Sequence, residues 1–518
     1  MTGRTRRFLI IGAVVLGLLI LLAVLVVPGL VDVNRYRPQV AALLEKQTGK
    51  PARIGRLELT IFPHLAIQVN DFELGNPEGF PQGDFFKARR IYALLQAGPL
   101  WHRKIVIQSL LVEGPVIHLL SNAAGRWNYE NPPASASANA DPPAGGRGSA
   151  PSSGGSGFSL GSISKVNIDG GEVTLANLLP SGATGPTYFD GKGLSCRFQD
   201  VNLDALSAPD SRSPRSGAGS IIPAGNNPAP QVAHGSFHAD SLRFGNIQAT
   251  GVDSQIHVFP KQAYLDNFKL TLAGGAVAGK AASDFSGANP RFSAVTSFHK
   301  IDVAQLLNMI PSARGKMTGT MEGNLDLHGE ASRSSDPLSG MQGTGAVSIR
   351  NGRLPTLQLN KNLLFLVRMA GVGATSGDPA SFSTVSTDLN LANQQLASHH
   401  VTIVSNDLNV DASGVLDLAR NNQMNYTGTA LATARQGGLT NLVANISGAT
   451  FSNGKLSFPF ALGGTLDNPK FSLKTGKGIL GGLSAPSPGG KQGAQPGNAI
   501  QNLFNMFQKK KSTTTSPK

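Results

Sequence analysis

Several short stretches carry residue types that could do chemistry. Gly157-Phe158-Ser159-Leu160-Gly161 has the spacing of a nucleophile elbow, where a sharp turn presents a serine hydroxyl to a carbonyl. Ser162-Ile163-Ser164-Lys165 and Lys474-Thr475-Gly476 match two parts of another acylating-serine pattern. His234, His238 and Asp240 share parity, so a strand would project them from one face, where they could hold a metal. Gly371-Val-Gly-Ala-Thr-Ser-Gly377 is rich in glycine like a dinucleotide loop.

Each lacks the context its chemistry needs. A nucleophile elbow requires a strand before the serine and a helix after it, but Ser159 emerges from a run of Pro, Ala, Gly and Ser. Ser162 should open a helix; instead it begins an alternating segment, and no Ser-Asp-Asn lies between it and Lys474. His399 and His400 are consecutive and point to opposite faces of a strand. With ten histidines scattered along the chain, a solvated polar face accounts for them better than a metal site. Gly371–Gly377 lacks the spacing and the preceding strand of a dinucleotide loop. Asp71 and Glu73 read as a hydrated outer face. Cys196 is the single cysteine, which excludes an internal disulfide framework and any multi-cysteine metal cluster. The expectation is a non-enzymatic protein with no catalytic, metal or cofactor-binding residues.

The elements that surround these residues say more. The 518-residue chain is poor in charged residues (15%) and has 62 glycines and 32 prolines, the composition of many short strands and turns. Its net charge of +14 is concentrated at the ends. Residues 1–37 hold five arginines and one aspartate, residues 470–518 hold eight lysines and no acid, and the long middle carries only +2. A nucleic-acid binder concentrates basic charge on its folded domain, so nucleic acid is not an expected partner.

Phe8 to Val27 is an uncharged apolar run, long enough as a helix to cross about 30 Å of bilayer. Arg4, Arg6 and Arg7 precede it and place the amino terminus in the cytoplasm. The run exceeds a signal-peptide core and no A-x-A-like site follows, so residues 1–28 read as an uncleaved anchor. The rest lies across the membrane, in a periplasm if the cell has two membranes.

After the anchor, Tyr36, Val40, Leu43, Leu44 and Gln47 follow a helical spacing, with Asp32 or Asn34 able to cap the start and Gly49 ending it. Strand-like segments then cover residues 52–62, 65–76, 85–96, 104–114 and 115–122. Pro63-His64 marks a turn, and at Asn70-Asp71 the apolar parity flips, as a bulge or a second turn would cause. Residues 131–160 read as a disordered linker, and a second insertion covers 205–231. LLVEGPVIHLL (110–120), KVNIDGGEVTLAN (165–177) and VSIRNGRLPTLQL (347–359) each read as a strand, a Gly-bearing tight turn and a second strand. Such repeated hairpins with no evident closure suggest an elongated antiparallel sheet. Helix-like segments interrupt it at 302–310, capped by Asp302, and at 360–371. Residues 476–518 form a flexible basic tail. There Ile500, Leu503, Phe504 and Phe507 line one face of a short amphipathic helix beside Lys509, Lys510 and Lys511, a composition that suits an anionic membrane surface. A disordered soluble tail accounts for it equally.

A sheet with period-2 alternation has one apolar face, which must be covered by a second sheet, by closure, or by a hydrophobic ligand. The alternating residues Leu57, Leu59, Ile61, Leu65, Ile67 and Val69 are the candidate apolar wall.

The first 130 residues resemble the start of the AsmA family of bacterial envelope proteins. The resemblance is carried by the anchor, the helix ending in Thr48-Gly49-Lys50, Phe62-Pro63, Leu74-Gly75-Asn76, and GRWNYEN at 125–131. The carboxyl half is similar too, through AGGAVAGKAA, FHKIDVAQLLNMI, LSGMQGTGAVSIRNGRL and LSFPFALGGTLDNPKFSLK. The resemblance implies an inner-membrane, single-pass protein with two β regions, 29–130 and 161–475, forming a curled, groove-like sheet in the periplasm. It also implies an apolar trough for acyl chains of phospholipid or lipopolysaccharide, as in bridge-like lipid transfer relatives. The alternative it leaves open is a scaffold that engages an outer-membrane protein. No catalytic residues carry over from the family.

Overall fold

The computed structural model describes residues 33–100, 106–130, 162–207, 221, 230–286, 290–330, 340–355, 380–405, 408–433, 449–466, 468–475 and 478–480. The anchor at Phe8–Val27, the linker at 131–160, most of the insertion at 205–231, the segment at 360–371, and the tail from 481, with Leu503, Phe504, Phe507 and Lys509–Lys511, lie outside them. Among the described residues no helix is long and apolar enough to cross a membrane. The chain divides into two compact units, Met1–Ala294 and Val295–Lys518. Both are mainly β, with few and short helices, as the composition predicts.

In the first unit a 3-10 turn, Val33–Tyr36, leads into α1 (Arg37–Thr48). Gly49 ends α1 at φ 65°, a left-handed conformation that glycine takes without strain, and its N–H bonds the Glu45 carbonyl. The cap is not Asn34. Tyr36 occupies that position with no side-chain bond, and a proline in the first turn removes one donor that would need a cap. Asn34 Oδ1 instead accepts from the Leu57 N–H at 2.9 Å and ties the turn to the first strand.

Strands β1 (Ala52–Thr60), β2 (Ala66–Gly75), β3 (Asp84–Leu95) and β4 (Ile107–Glu113) pair in antiparallel order. The bend at Phe62-Pro63-His64 joins β1 to β2 where proline and histidine predict it, with a cis Phe62-Pro63 bond. After β3 comes one helical turn, α2 (Ala97–Leu100). β5 (Val116–Ser121) and β6 (Ser162–Leu178) follow, then β7 (Thr184–Asn202), β8 (Ala233–Phe244), β9 (Ile247–Phe259), β10 (Gln262–Leu272) and β11 (Gly275–Asp284). β6 to β11 run as an antiparallel meander.

The three expected hairpins are corrected here. β4 and β5 pair with β3 on one side and both run parallel to β6 on the other, so LLVEGPVIHLL is one strand broken at Gly114-Pro115. KVNIDGGEVTLAN lies wholly inside β6, and the described part of VSIRNGRLPTLQL continues through Asn351-Gly352 as a single strand. The antiparallel expectation also gives way at β6, because the long chain between Ser121 and Ser162 permits the crossover a parallel pair requires. What the sequence announced as turns are residues at positive φ: Gly114 (56°), Gly170 (66°) and Asn351 (51°). Asp71 in β2 (51°) matches the expected irregularity at the parity flip. Such a residue rotates the strand without reversing it, so the apolar parity changes while the chain runs on.

The Gly…Trp-Asn element closes one corner. Asn128 is fully buried, and its side-chain amide donates to the His118 carbonyl and Asn76 Oδ1, both at 2.7 Å, while its Oδ1 accepts from the Leu120 N–H at 3.0 Å. Lys50, also buried, donates to the Tyr129 carbonyl at 3.3 Å and rests over the Phe85 ring; desolvation holds its pKa below the usual lysine value. These bonds join the end of α1 to β2 and β5.

The second unit holds most of β12 (Arg291–Asp302), then α3 (Val303–Asn308), which Asp302 caps as predicted by accepting from the Gln305 N–H at 3.0 Å. β13 (Thr318–Glu330), β14 (Met341–Arg353), β15 (Ser381–Ala392), β16 (Gln395–Val404), β17 (Leu408–Asp417) and β18 (Gln423–Thr433) continue the meander. β20 (Lys455–Gly464) pairs with β18, with the short β19 (Thr450–Ser452) and with β21 (Pro469–Thr475), before β22 (Gly478–Leu480).

Candidate functional site

Register decides which side chains share a face, because directly paired residues project to the same side. In the first unit the predicted wall residues fall into opposed pairs: Leu57 faces Val69 and Leu59 faces Ile67. Ile61 and Leu65 lie just beyond the strand ends, at the bend, and are half-buried. The wall then continues through residues the sequence did not single out. One row is Leu57, Val69, Ile91, Val112, Ile168, Cys196 and Phe237. A second is Leu59, Ile67, Ala93, Leu110, Val166, Phe198, Gly235, Ile256, Leu265 and Ala281, one residue from each strand it crosses between β1 and β11. The side chains of both rows are half-buried.

A third apolar row, Ala52, Leu74, Phe86, Ile117, Val173, Gly191, Leu242, Ala249 and Leu272, has the opposite parity along the strands. The positive-φ residues bring it to the same face. A Cβ on Gly191 would touch Val173 and Leu242 of this row and also Leu194, which shares parity with Cys196 and Phe198 across Gly193 (φ 64°). The same device recurs at Asp200 (φ 48°), where Val201 and Ile163 join one cluster with Val166 and Phe198. Positive-φ residues thus lie at the break between β4 and β5 (Gly114) and within β6 (Gly170), β7 (Gly193), β9 (Gly251) and β10 (Asn267), but not within β8.

The opposite face is mainly polar, with Tyr92 and Leu111 paired beside Gln68 on it. Arg56, Asn70, Arg90, Glu113 and Asp169 form one cross-strand row, in which Arg90 is ion-paired to Glu113. Arg89, its neighbour in sequence, also reaches Glu113 at 3.8 Å. Glu58 accepts from Asn70 at 3.3 Å and lies 3.6 Å from Arg56. These carboxylates belong to a hydrated face, as do Asp71, which is exposed, and Glu73, which pairs with Lys87 at 3.4 Å.

The other motifs stay apart from the wall. Ser162 opens β6, not a helix, and Ser159 and Gly371–Gly377 lie outside the described residues. Ser195, His238 and Asp253 are paired across β7, β8 and β9, which sets a serine, a histidine and an aspartate side by side. The histidine is not a base for that serine: its Nδ1 bonds Asp253 at 2.7 Å and its Nε2 faces Asp240 at 3.3 Å. The hydrogen bond to Asp253 leads in raising its pKa, which favours the imidazolium. Among the described residues no group of three or more His, Cys, Asp or Glu could hold a metal ion. Burial pushes the Cys196 thiol up to about 11, consistent with its place in the apolar row.

In the second unit the apolar row Met321, Ile349, Val385, Ile403, Val410, Ala430 and Phe458 is progressively sealed. Val303 and Leu307 of α3 pack over Ile349, Phe382 and Val385, and Leu456, Phe458 and Phe460 are fully buried. A cleft of about 580 Å³ is lined by polar residues including His299, Glu322, Asn324, Asp388 and His400. There the His400 N–H, bonded to Asp388 at 2.7 Å, holds that carboxyl below its usual range.

Fold and face together define a β-sheet protein whose first unit carries a long, incompletely covered apolar surface backed by a hydrated one. The model of the AsmA family matches residues 5–179, which takes in the apolar run Phe8–Val27, β1 to β5 and all of β6. No curated protein and no solved structure gives a significant match.

Proposed function

We propose that this chain is a non-enzymatic, inner-membrane-anchored periplasmic protein of cell-envelope biogenesis. Its first unit binds acyl chains of phospholipid or lipopolysaccharide along the apolar rows of β1 to β11. The single observation that supports this reading is the pair of unbroken apolar rows starting at Leu57 and Leu59, whose side chains are only half-buried. An apolar surface of this length left in water is costly, and each methylene buried against it contributes about 0.8 kcal/mol. Because the rows offer contact without directional bonds, an acyl chain can shift along them at little cost. The AsmA-family segment agrees with an envelope role.

The test uses the full chain purified in mild detergent, with phospholipid and lipopolysaccharide per chain counted by mass spectrometry. Wild-type protein retains lipid; the double variant Val69→Asp, Ile91→Asp loses it; Gln68→Asp, on the polar face, retains it. Equal retention in all three would overturn the reading. Stoichiometric capture of an outer-membrane protein, with no lipid bound, would replace it with a scaffold.

A further inference from the structure

We infer that α1 and the tip of the β1–β2 hairpin form a docking surface for an anionic bilayer, the same bilayer that holds the anchor. Three of the most exposed large apolar side chains in the described residues fall here: Tyr36 (51% exposed), Leu43 (55%) and Phe62 (67%). Tyr36 and Leu43 are seven positions apart and so share one stripe of the helix. Val40 and Leu44, on the adjoining stripe, are half-buried, as is Ala41. The apolar face of α1 is therefore wider than the part that is covered, and its uncovered edge is what Tyr36 and Leu43 occupy.

Charge singles out the occupant. Between Val33 and Glu58 the chain carries six basic residues against two acids, Glu45 and Glu58, the second 3.6 Å from Arg56. Arg35, Lys46, Arg53 and Arg56 are exposed. Exposed aromatic and leucine side chains interleaved with lysine and arginine are the composition of a surface that lies in the headgroup region, the rings at the interface and the cations on phosphates. Position agrees. Only residues 28–32 separate the apolar run ending at Val27 from Val33, so Val33 stays within roughly 20 Å of the anchor's end even if that chain is fully extended. The Asn34–Leu57 bond then holds the start of α1 against β1, a few residues before the bend that carries Phe62.

This surface rests on the anchor and not on the acyl-binding reading. Its consequence is that the first rung of the apolar rows, Leu59 with Ile67, stands next to lipid.

The experiment places one nitroxide at a time by Leu43→Cys, Phe62→Cys or Phe244→Cys, each in the full chain with Cys196→Ser. The protein is reconstituted into vesicles of phosphatidylethanolamine and phosphatidylglycerol, and collisions with oxygen and with a water-soluble nickel chelate are compared by electron paramagnetic resonance. Labels at positions 43 and 62 are expected to favour oxygen, and the label at 244, a comparably exposed aromatic position, to favour nickel. Replacing both lipids with phosphatidylcholine, or raising the salt, is expected to shift 43 and 62 toward the aqueous reading. Labels at 43 and 62 no deeper than the one at 244 would overturn the inference. So would protection from both reagents, which would mean a second copy or a protein partner, or immersion unchanged in neutral vesicles. Loss of lipid retention in the groove variants leaves this readout unmoved, so the two proposals fail separately.

Discussion

The two units use one construction and finish it differently. In each, paired strands, antiparallel except at β4–β6 and β5–β6 in the first unit, line up apolar side chains in rows, one residue per strand. In the second unit the row ends on Ala430 and Phe458, both fully buried, with Leu456 and Phe460 beside them and Phe460 stacked on Phe471 at 5.4 Å. Small residues make this closure possible: Gly428, Ala430 and Ala432 pair with Phe460, Phe458 and Leu456, so bulk on one strand meets space on the next. In the first unit the corresponding positions are Val, Ile, Leu and Phe on nearly every strand, and they stay half-buried. A row becomes core where it is covered, and the first unit's rows are covered only in part, where Leu110, Val166 and Phe198 pack against Ile163 and Val201. On the proposed reading, the difference separates stability from binding along one chain.

Substitutions should respect that division. Phe458→Ala removes a fully buried ring from the closed region and should cost about 3–5 kcal/mol, read as faster hydrogen exchange across β17, β18 and β20. Unchanged exchange there would mean that the second unit has no true core. Asn128→Ala strands the Leu120 N–H and the His118 carbonyl without their partner and should cost about 1–3 kcal/mol, measured by denaturant unfolding.

Asp284 adds a pH dependence. Desolvation pushes its pKa up, but hydrogen bonds from Ser286, Arg291 and Gln262 outweigh it and hold the carboxyl below its usual range. A depressed carboxyl contributes stability that is complete above its unfolded-state pKa and lost as pH falls through the folded value. Protection of β10 and β11 should therefore decline on acidification below the ordinary aspartate range, and Asp284→Asn should flatten that decline. The smallest stability effect belongs to the open region. Ile91→Ala, in a half-buried wall, should cost about 1 kcal/mol, well below Phe458→Ala, while lowering the lipid retained per chain. A cost as large as that of Phe458→Ala would show that the wall is a packed core.

Much of this was legible in the sequence. Alternation located β1, β2 and β3, Pro63-His64 located the bend, and Gly49 and Asp302 marked helix ends that the structure keeps. Parity alone singles out Leu57, Leu59, Ile67 and Val69, which the register sets in opposed pairs. What misled was the parity flip at Gly114, Gly170 and Asn351, because a tight turn and a bulge leave the same trace: apolar residues one position out of step around a Gly or Asn. The residue count around the flip does not separate them; only pairing does. The extension of the wall through Ile91, Val112, Ile168 and Cys196 was hidden for a related reason, since register across strands, and the parallel β4–β6 pair above all, is not written in any one segment. Ser195, His238 and Asp253 were invisible as neighbours for the same cause, whereas the shared parity of His238 and Asp240 was readable from their spacing.

Whether one face of the first unit carries lipid and the other does not can be read by crosslinking in living cells. A photoreactive benzoylphenylalanine is placed in the full chain at Val69, Ile91 or Val112, or at Gln68, Asn70 or Asn167, and adducts are identified by mass spectrometry. Lipid adducts are expected at the first three positions and none at the second three. Adducts on both faces, or on neither while the chain remains folded, would contradict that division of the faces.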